Sequence, residues 1–133
     1  MCRVSPLGAH RVTKGENQVL GHSESWSVEF YVTAGGKAPA KEFIDGLPAR
    51  ERAKVARALE WLRDYGQDLG MPHARPIEGK LWELRAGAGR LFYFVYTGRR
   101  IILLHGYLKK SQRAPRREIE VALRRMADFL EGD

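Results

Sequence analysis

The sequence of 133 residues is long enough for one hydrophobic core and short for two. Its 23 Lys and Arg residues against 16 Asp and Glu residues give a formal net charge of +7, which indicates a polyanionic partner such as a nucleic acid. The single cysteine, Cys2, excludes an intramolecular disulfide, and no apolar run approaches the roughly 20 residues that a membrane span needs. We therefore expect a cytoplasmic protein with no membrane partner.

The first half of the chain reads as a polar segment followed by one strand and two helices. Residues 1–24 lack periodicity and are predicted to be a poorly ordered N-terminal extension, ahead of a single domain over residues 25–133. Residues 26–32 alternate apolar and polar side chains, which is typical of a strand with one buried face. Two helical patterns follow, over residues 39–44 and 48–66.

The second half reads as an antiparallel meander and a final helix. Three apolar runs rich in aromatic and β-branched residues lie within residues 80–112, and glycine-containing turns at residues 87–89 and 97–98 separate them. Pro115 begins a last helix whose apolar stripe continues to Leu130. The predicted order is strand, two helices, three-strand meander and C-terminal helix. This order predicts an α+β fold, an antiparallel sheet with the helices packed on one face.

The positive charge is concentrated in the predicted sheet and its exit. Between residues 71 and 117, eleven Lys and Arg residues stand against two glutamates, so this region carries +9 and the rest of the chain −2. A solvated face is the ordinary explanation for surface lysines and arginines. Their concentration in one region instead favours a surface that binds phosphate groups.

The same region lacks the motifs of several common sites. Neither glycine-containing turn is followed by the Lys-Ser/Thr pair of a phosphate loop, and His73 and His105 have no third ligand at a spacing usual for zinc. We therefore expect no metal and no cofactor. What remains is a cationic and aromatic surface. Such a surface can promote attack of an RNA 2′-hydroxyl on the adjacent phosphate, with Arg and Lys stabilising the charge and His or Tyr moving protons.

Strand periodicity divides the candidate residues between the two faces of the sheet. Arg90 and Tyr93 are predicted to lie on opposite faces unless a bulge intervenes, whereas Leu103, His105 and Tyr107 are predicted to share one. Each candidate also has a purely structural alternative. Tyr93 suits sheet packing, His105 suits a satisfied structural histidine, and Arg90 suits a salt-bridge partner.

Three segments together resemble the RelE/ParE superfamily of toxins: KLWELR at residues 80–85, RLFYF at residues 90–94, and LLHGYLKKSQRAPRREIEVALRRM at residues 103–126. The resemblance is greatest to the phage-derived, HigB-type (Gp49-like) branch and spans about residues 26–130. It implies the RelE/ParE-like α+β fold and a toxin of a type II toxin–antitoxin system. The implied activity is that of a metal-independent, ribosome-dependent mRNA endonuclease that inhibits translation. The superfamily also offers an alternative, a non-hydrolytic toxin that inhibits DNA gyrase.

The resemblance also implies the partners. Toxins of this superfamily are held inactive by an antitoxin encoded alongside, in this branch a helix-turn-helix protein. The ribosome and mRNA are the implied targets of the toxin, and DNA is expected to be bound only through the antitoxin complex.

Several site residues follow from the resemblance. Arg90 stands where related nucleases contact the scissile phosphate, and Lys110 belongs to a basic pair of which one member protonates the leaving 5′ oxygen. The type enzyme's tyrosine base has no counterpart, since residues 115–116 are Pro-Arg, so His105 or Tyr107 is expected to take the proton. The residues expected to bind RNA or its phosphates are Lys80, Arg85, Tyr93, Lys109, Arg113 and Arg116.

Overall fold

The computed structural model describes residues 3–6 and 25–132. Most of the predicted N-terminal extension, residues 1–2 and 7–24, lies outside the described residues, so its predicted disorder stays a prediction. Residues 3–6 of that segment form a strand. No helix among the described residues is long and apolar enough to cross a membrane.

The described residues form six strands and three α-helices around one sheet. The strand order across the sheet is β1-β2-β6-β5-β4-β3. The bounds of the elements are β1 Arg3–Pro6, β2 Ser27–Val32, α1 Pro39–Asp45, α2 Ala49–Tyr65, a 3₁₀ turn Gly66–Asp68, β3 Ala74–Glu78, β4 Leu81–Ala86, β5 Gly89–Tyr96, β6 Arg100–Leu108 and α3 Arg116–Gly132. The predicted α+β fold is confirmed.

The meander contains four strands, one more than the sequence predicts. The additional strand, β3, covers Ala74–Glu78 and pairs antiparallel with β4 at the edge of the sheet. The sequence does not predict this strand because it contains Pro76, and a proline argues against any strand except one at an edge of the sheet. The register shifts beside Pro76, between Pro76 and Glu78.

The sheet is mixed because β2 runs parallel to β6, while the other neighbouring strands are antiparallel. The chain leaves β2, crosses the sheet through α1 and α2, and returns through the meander. The last meander strand therefore lies beside β2 and runs in the same direction. A parallel pair needs such a crossover connection.

Helices cover both faces of the sheet, so the prediction that they pack on one face is wrong. The α2 residues Val55, Leu59 and Leu62 join one core, which includes Leu91 and Leu103 of the sheet. The second core lies on the opposite face, where α3 packs on the sheet through Ile119, Ala122, Met126 and Phe129. The strand sequences explain this arrangement, since the unbroken apolar runs of β5 and β6 supply buried side chains to both faces.

A bulge in β6 decides which face each candidate side chain occupies. Phe92 pairs with His105 and Tyr93 pairs with Leu103, which leaves Leu104 as the additional residue. Leu103 consequently belongs to the core under α1 and α2, whereas Leu104 and Tyr107 belong to the core under α3. The prediction that Leu103 shares a face with His105 and Tyr107 is therefore wrong, because one inserted residue reverses the alternation.

Candidate nucleic-acid site

Arg90 lies at the start of β5, directly after the β4–β5 hairpin turn. Its side chain is only 6 % exposed, and Nη1 donates to the carbonyls of Gly87 and Gly89, each at 2.8 Å. The guanidinium therefore closes the hairpin turn as well as placing a positive charge beside it. Burial, followed by the neighbouring Arg85, lowers the pKa of Arg90, which is the direction expected for a cation held away from water.

Glu83 of β4 organises the side chains next to Arg90. The residue is fully buried and accepts two hydrogen bonds, from the Tyr107 hydroxyl at 2.8 Å and from Arg75 Nε at 2.9 Å. Burial and the bond to Glu83 both raise the pKa of Tyr107, so its hydroxyl keeps its proton at neutral pH. A carboxylate at an inward strand position is thus satisfied by a phenol and a guanidinium.

Together these residues form what we term the hairpin cluster, made of Arg75, Glu83, Arg85, Arg90 and Tyr107. The cluster contains three arginines and one carboxylate, so it has a formal charge of +2. The Arg85 side chain makes no ion pair or hydrogen bond with the described part of the chain and is half-buried. The hairpin cluster therefore presents uncompensated guanidinium charge at the hairpin end of the sheet, where an anion would be stabilised.

The exit of β6 adds further cations to the same end of the sheet. The backbone N–H of Lys109 donates to Ala88 O at 2.9 Å, which places residues 109–110 beside the β4–β5 turn. The side chains of Lys109, Lys110 and Arg113 are exposed and form no ion pair with the described residues. Three predicted phosphate-binding or catalytic residues thus follow directly after the strand that carries Tyr107.

His105 lies on the same face but is held by α3. Arg125 Nη1 approaches His105 Nδ1 at 3.1 Å, and Glu118 Oε1 contacts His105 Nε2. Because arginine can only donate, Nδ1 must accept, which assigns the proton to Nε2 and makes Glu118 its acceptor. Burial is the main cause that lowers the pKa of His105, and Arg125 adds to it while Glu118 opposes it. Both ring nitrogens are engaged in this neutral tautomer.

Three predicted residues lie away from the hairpin cluster. Tyr93 is buried on the opposite face, as strand alternation predicts, and lines a cleft there together with Lys80. Arg116 is exposed at the start of α3 and pairs with Glu78 at 2.8 Å and Glu120 at 3.2 Å. The structure thus brings Arg85, Arg90, Tyr107, Lys109 and Lys110 to one end of the sheet, with His105 next to them under α3.

Sequence reasoning missed four residues that shape this region: Arg75, Glu83, Glu118 and Arg125. Arg75 and Glu83 stand opposite each other on β3 and β4, so their pairing could not be seen while β3 was unrecognised. Glu118 and Arg125 come from α3, and only the placement of that helix over β6 reveals their contact with His105. The one available signal was a glutamate at an apolar-patterned strand position, which usually marks a buried charge with a partner.

One of two comparisons with known proteins gave a match. A search of curated proteins returned no match to the sequence. The profile of the family described as phage-derived protein Gp49-like (DUF891) matches residues 42–127, which include α2, the whole meander and most of α3. Membership in it fits a toxin of a toxin–antitoxin system in the broad sense and suggests an antitoxin as partner. The chain belongs to this Gp49-like family, which lies within the RelE/ParE-like toxin superfamily.

Proposed function

We propose that the protein is the toxin of a type II toxin–antitoxin system and acts as a metal-independent, ribosome-dependent mRNA endonuclease. The observation that carries the proposal is the convergence of Arg85, Arg90, Lys109 and Lys110 on the hairpin end of the sheet. These cations come from three different elements, so only the fold brings them together. A phosphodiester is the ligand that such a cationic set suits.

In the proposed reaction the 2′-hydroxyl of the message attacks the adjacent phosphorus, and the 5′ oxygen of the next nucleotide leaves. The products are a 2′,3′-cyclic phosphate and a 5′-hydroxyl end. Arg85 and Arg90 stabilise the additional negative charge on the phosphorane, and the buried position of Arg90 strengthens its part of this interaction. Lys110 protonates the leaving oxygen, as the resemblance implies, and needs no metal for this step.

The acceptor of the 2′-hydroxyl proton is His105 in this proposal. Its Nδ1 lone pair faces Arg125, so the Arg125 contact must open before the ring can take a proton. Tyr107 then acts through Glu83 rather than as the base, because its hydroxyl is protonated and already donates to the Glu83 carboxylate. We therefore assign Tyr107 a positioning role at the site.

The proposed partner is an antitoxin with a helix-turn-helix domain, and the pair binds DNA through that domain. The basic hairpin end is the surface on which an acidic antitoxin segment would neutralise the toxin. The ribosome and its message are the proposed targets in the absence of the antitoxin.

Growth of cells after induction of the toxin tests the assignment of the cations. We expect the double variant Arg85→Ala/Lys110→Ala to lose growth inhibition, because it removes two of the converging cations. Arg85 is half-buried and Lys110 is exposed, and neither side chain forms an ion pair or hydrogen bond with the described residues, so the fold should persist. Lys41→Ala is the matched control, since Lys41 is an exposed lysine on α1 whose one ion pair with the described residues is to Asp45. Full toxicity of the double variant, with a circular dichroism spectrum like that of the wild type, would refute the assignment.

A gyrase-inhibiting toxin without hydrolytic activity is the second candidate. The observation that favours it is that His105 and Tyr107, the two expected proton carriers, are both engaged in internal hydrogen bonds. In that case the basic hairpin end is a docking surface. Accumulation of cleaved DNA–gyrase complexes after induction, with intact message, would support it.

A further inference from the structure

A cleft of about 520 Å³ lies on the sheet face opposite the hairpin cluster. Its walls come from the 3₁₀ turn after α2, the start of β4 and the middle of β5. This volume falls in the range of sites that hold small ligands, roughly 300–1,000 Å³. The lining residues are Gln67, Asp68, Lys80, Trp82, Tyr93 and Val95.

The polar groups of this cleft lack internal partners. Lys80 and Asp68 are exposed, and neither forms an ion pair or a side-chain hydrogen bond with the described residues. Tyr93 is 1 % exposed, yet its hydroxyl has no hydrogen-bond partner in the described part of the chain. The only fully enclosed side-chain atom without a partner among those residues is Glu51 Oε1, so the Tyr93 hydroxyl reaches the open space of the cleft.

The aromatic wall of the cleft is also only partly covered by the rest of the protein. Trp82 is half-buried and packs against the core beneath α1 and α2, which leaves part of its indole at the cleft. Val95 completes the apolar part of the lining. A flat ring that stacks on this wall would meet the Tyr93 hydroxyl at the floor and the exposed polar side chains at the rim.

We propose that this cleft is a binding site for a guanine nucleotide, with the base on Trp82, the phosphate on Lys80 and the base edge on Asp68. The site is separate from the hairpin cluster, because the two lie on opposite faces of the sheet.

Each part of this ligand matches a side chain of the cleft. The phosphate pairs with a lysine that has no other anion among the described residues. The ring stacks on an indole, and this contact alone would accept any base. Asp68 supplies the selection, because a carboxylate only accepts hydrogen bonds and guanine offers N1–H and N2–H₂ on its Watson–Crick edge, whereas adenine lacks the N1–H.

Isothermal titration calorimetry on the purified full chain tests the proposal, with GMP, AMP, guanosine and inorganic phosphate as the probes. We expect GMP to bind at least about tenfold more tightly than AMP, since one charge-assisted hydrogen bond accounts for such a factor. Guanosine and phosphate are each expected to bind more weakly than GMP. Equal affinities for GMP, AMP and phosphate, or no heat with GMP at millimolar concentration, would overturn the proposal.

Two conservative variants of exposed side chains make the test specific. Asp68→Asn is expected to remove the preference of GMP over AMP, and Lys80→Gln to reduce the affinity for GMP about tenfold while leaving guanosine unchanged. The matched controls are Asp45→Asn and Lys41→Gln, which alter an exposed ion pair on α1. If the controls change GMP binding as much as the cleft variants do, the site is not this cleft.

The source of the nucleotide is decided by a competition experiment. If a pentaribonucleotide with one central guanosine displaces GMP and binds more tightly than GMP, the cleft takes a base from an RNA strand. If it binds more weakly than GMP, the ligand is a free nucleotide. Both results support a guanine site. Binding of the pentaribonucleotide that leaves GMP in place would show that the RNA occupies another surface, such as the hairpin cluster, and would assign the cleft to a free nucleotide.

Discussion

Replacement of Glu83 by glutamine is the perturbation that the structure makes most informative. Glu83 is fully buried and accepts hydrogen bonds from Tyr107 and Arg75. A glutamine of the same shape has one oxygen that can accept from Arg75 and one NH₂ group that can only donate, so the Tyr107 hydroxyl must turn and become an acceptor. Glu83→Gln therefore replaces two hydrogen bonds to a carboxylate by weaker bonds to a neutral amide and removes the charge that offsets the arginines.

The magnitude follows from these two bonds. A hydrogen bond to a charged group contributes about 1.5–3 kcal/mol and an ordinary one about 0.5–1.5 kcal/mol, and Glu83 receives two bonds of the stronger kind. The Arg75 side chain is 31 % exposed, so water replaces part of that contribution and it must be discounted. We expect Glu83→Gln to lower the free energy of unfolding by about 1–3 kcal/mol, which is a sizeable share of the stability of a small domain.

Urea denaturation followed by circular dichroism measures this loss. With an m-value of about 2 kcal/mol/M, the middle of the usual range in urea, the midpoint should fall by roughly 0.5–1.5 M. Glu60→Gln is the control, because Glu60 is exposed on α2 and has no salt-bridge partner in the described residues, and we expect a change within about 0.5 kcal/mol. A midpoint for Glu83→Gln equal to that of the control would refute the reasoning that Glu83 holds the hairpin cluster together.

Three further predictions concern the contacts around β6. The lowered pKa of His105 means that the unfolded chain binds the proton more readily, so the contribution of His105 to stability is complete above the ordinary pKa of 6.5 and is lost as the pH falls below it. His105→Gln should therefore flatten the pH dependence of the urea midpoint in that window, and an unchanged slope would contradict the assignment. Arg125→Gln should raise the pKa of His105 in an NMR titration, because it removes a positive charge that opposes protonation, whereas a lower pKa would contradict the assigned tautomer. Gly106→Ala should cost about 1–3 kcal/mol in the same denaturation assay, since the added Cβ would lie 2.3 Å from Phe43 Cδ2; an unchanged midpoint would show that Phe43 can move away.

The elements with strong periodicity were predictable from the sequence. The alternation in β2, the apolar stripes of α2 and α3 and the aromatic runs of the meander all appear at the expected places. The edge strand β3 was not predictable, because Pro76 masks its pattern. The two-sided packing was readable only in part, since a continuous apolar strand such as β5 signals two buried faces but does not say which helix covers each of them.

For the candidate site, the sequence predicted the basic region but neither the bulge in β6 nor the contacts with α3. Charge clustering located the basic region, and strand parity correctly separated Arg90 from Tyr93. The bulge at Leu104 could not be read from the sequence, and it moved His105 to the face opposite Leu103. The partners of His105 come from α3, more than ten residues away along the chain, and such tertiary contacts leave no local pattern.

The most direct test of the proposed function is in-vitro translation with the purified protein, followed by primer extension to map the 5′ ends of the message, with and without ribosomes. The proposal predicts cuts at codon-phased positions that appear only on translated message and that disappear with Arg85→Ala/Lys110→Ala. Intact message in the presence of toxic protein would contradict it and would identify the hairpin end of the sheet as a docking surface for another target.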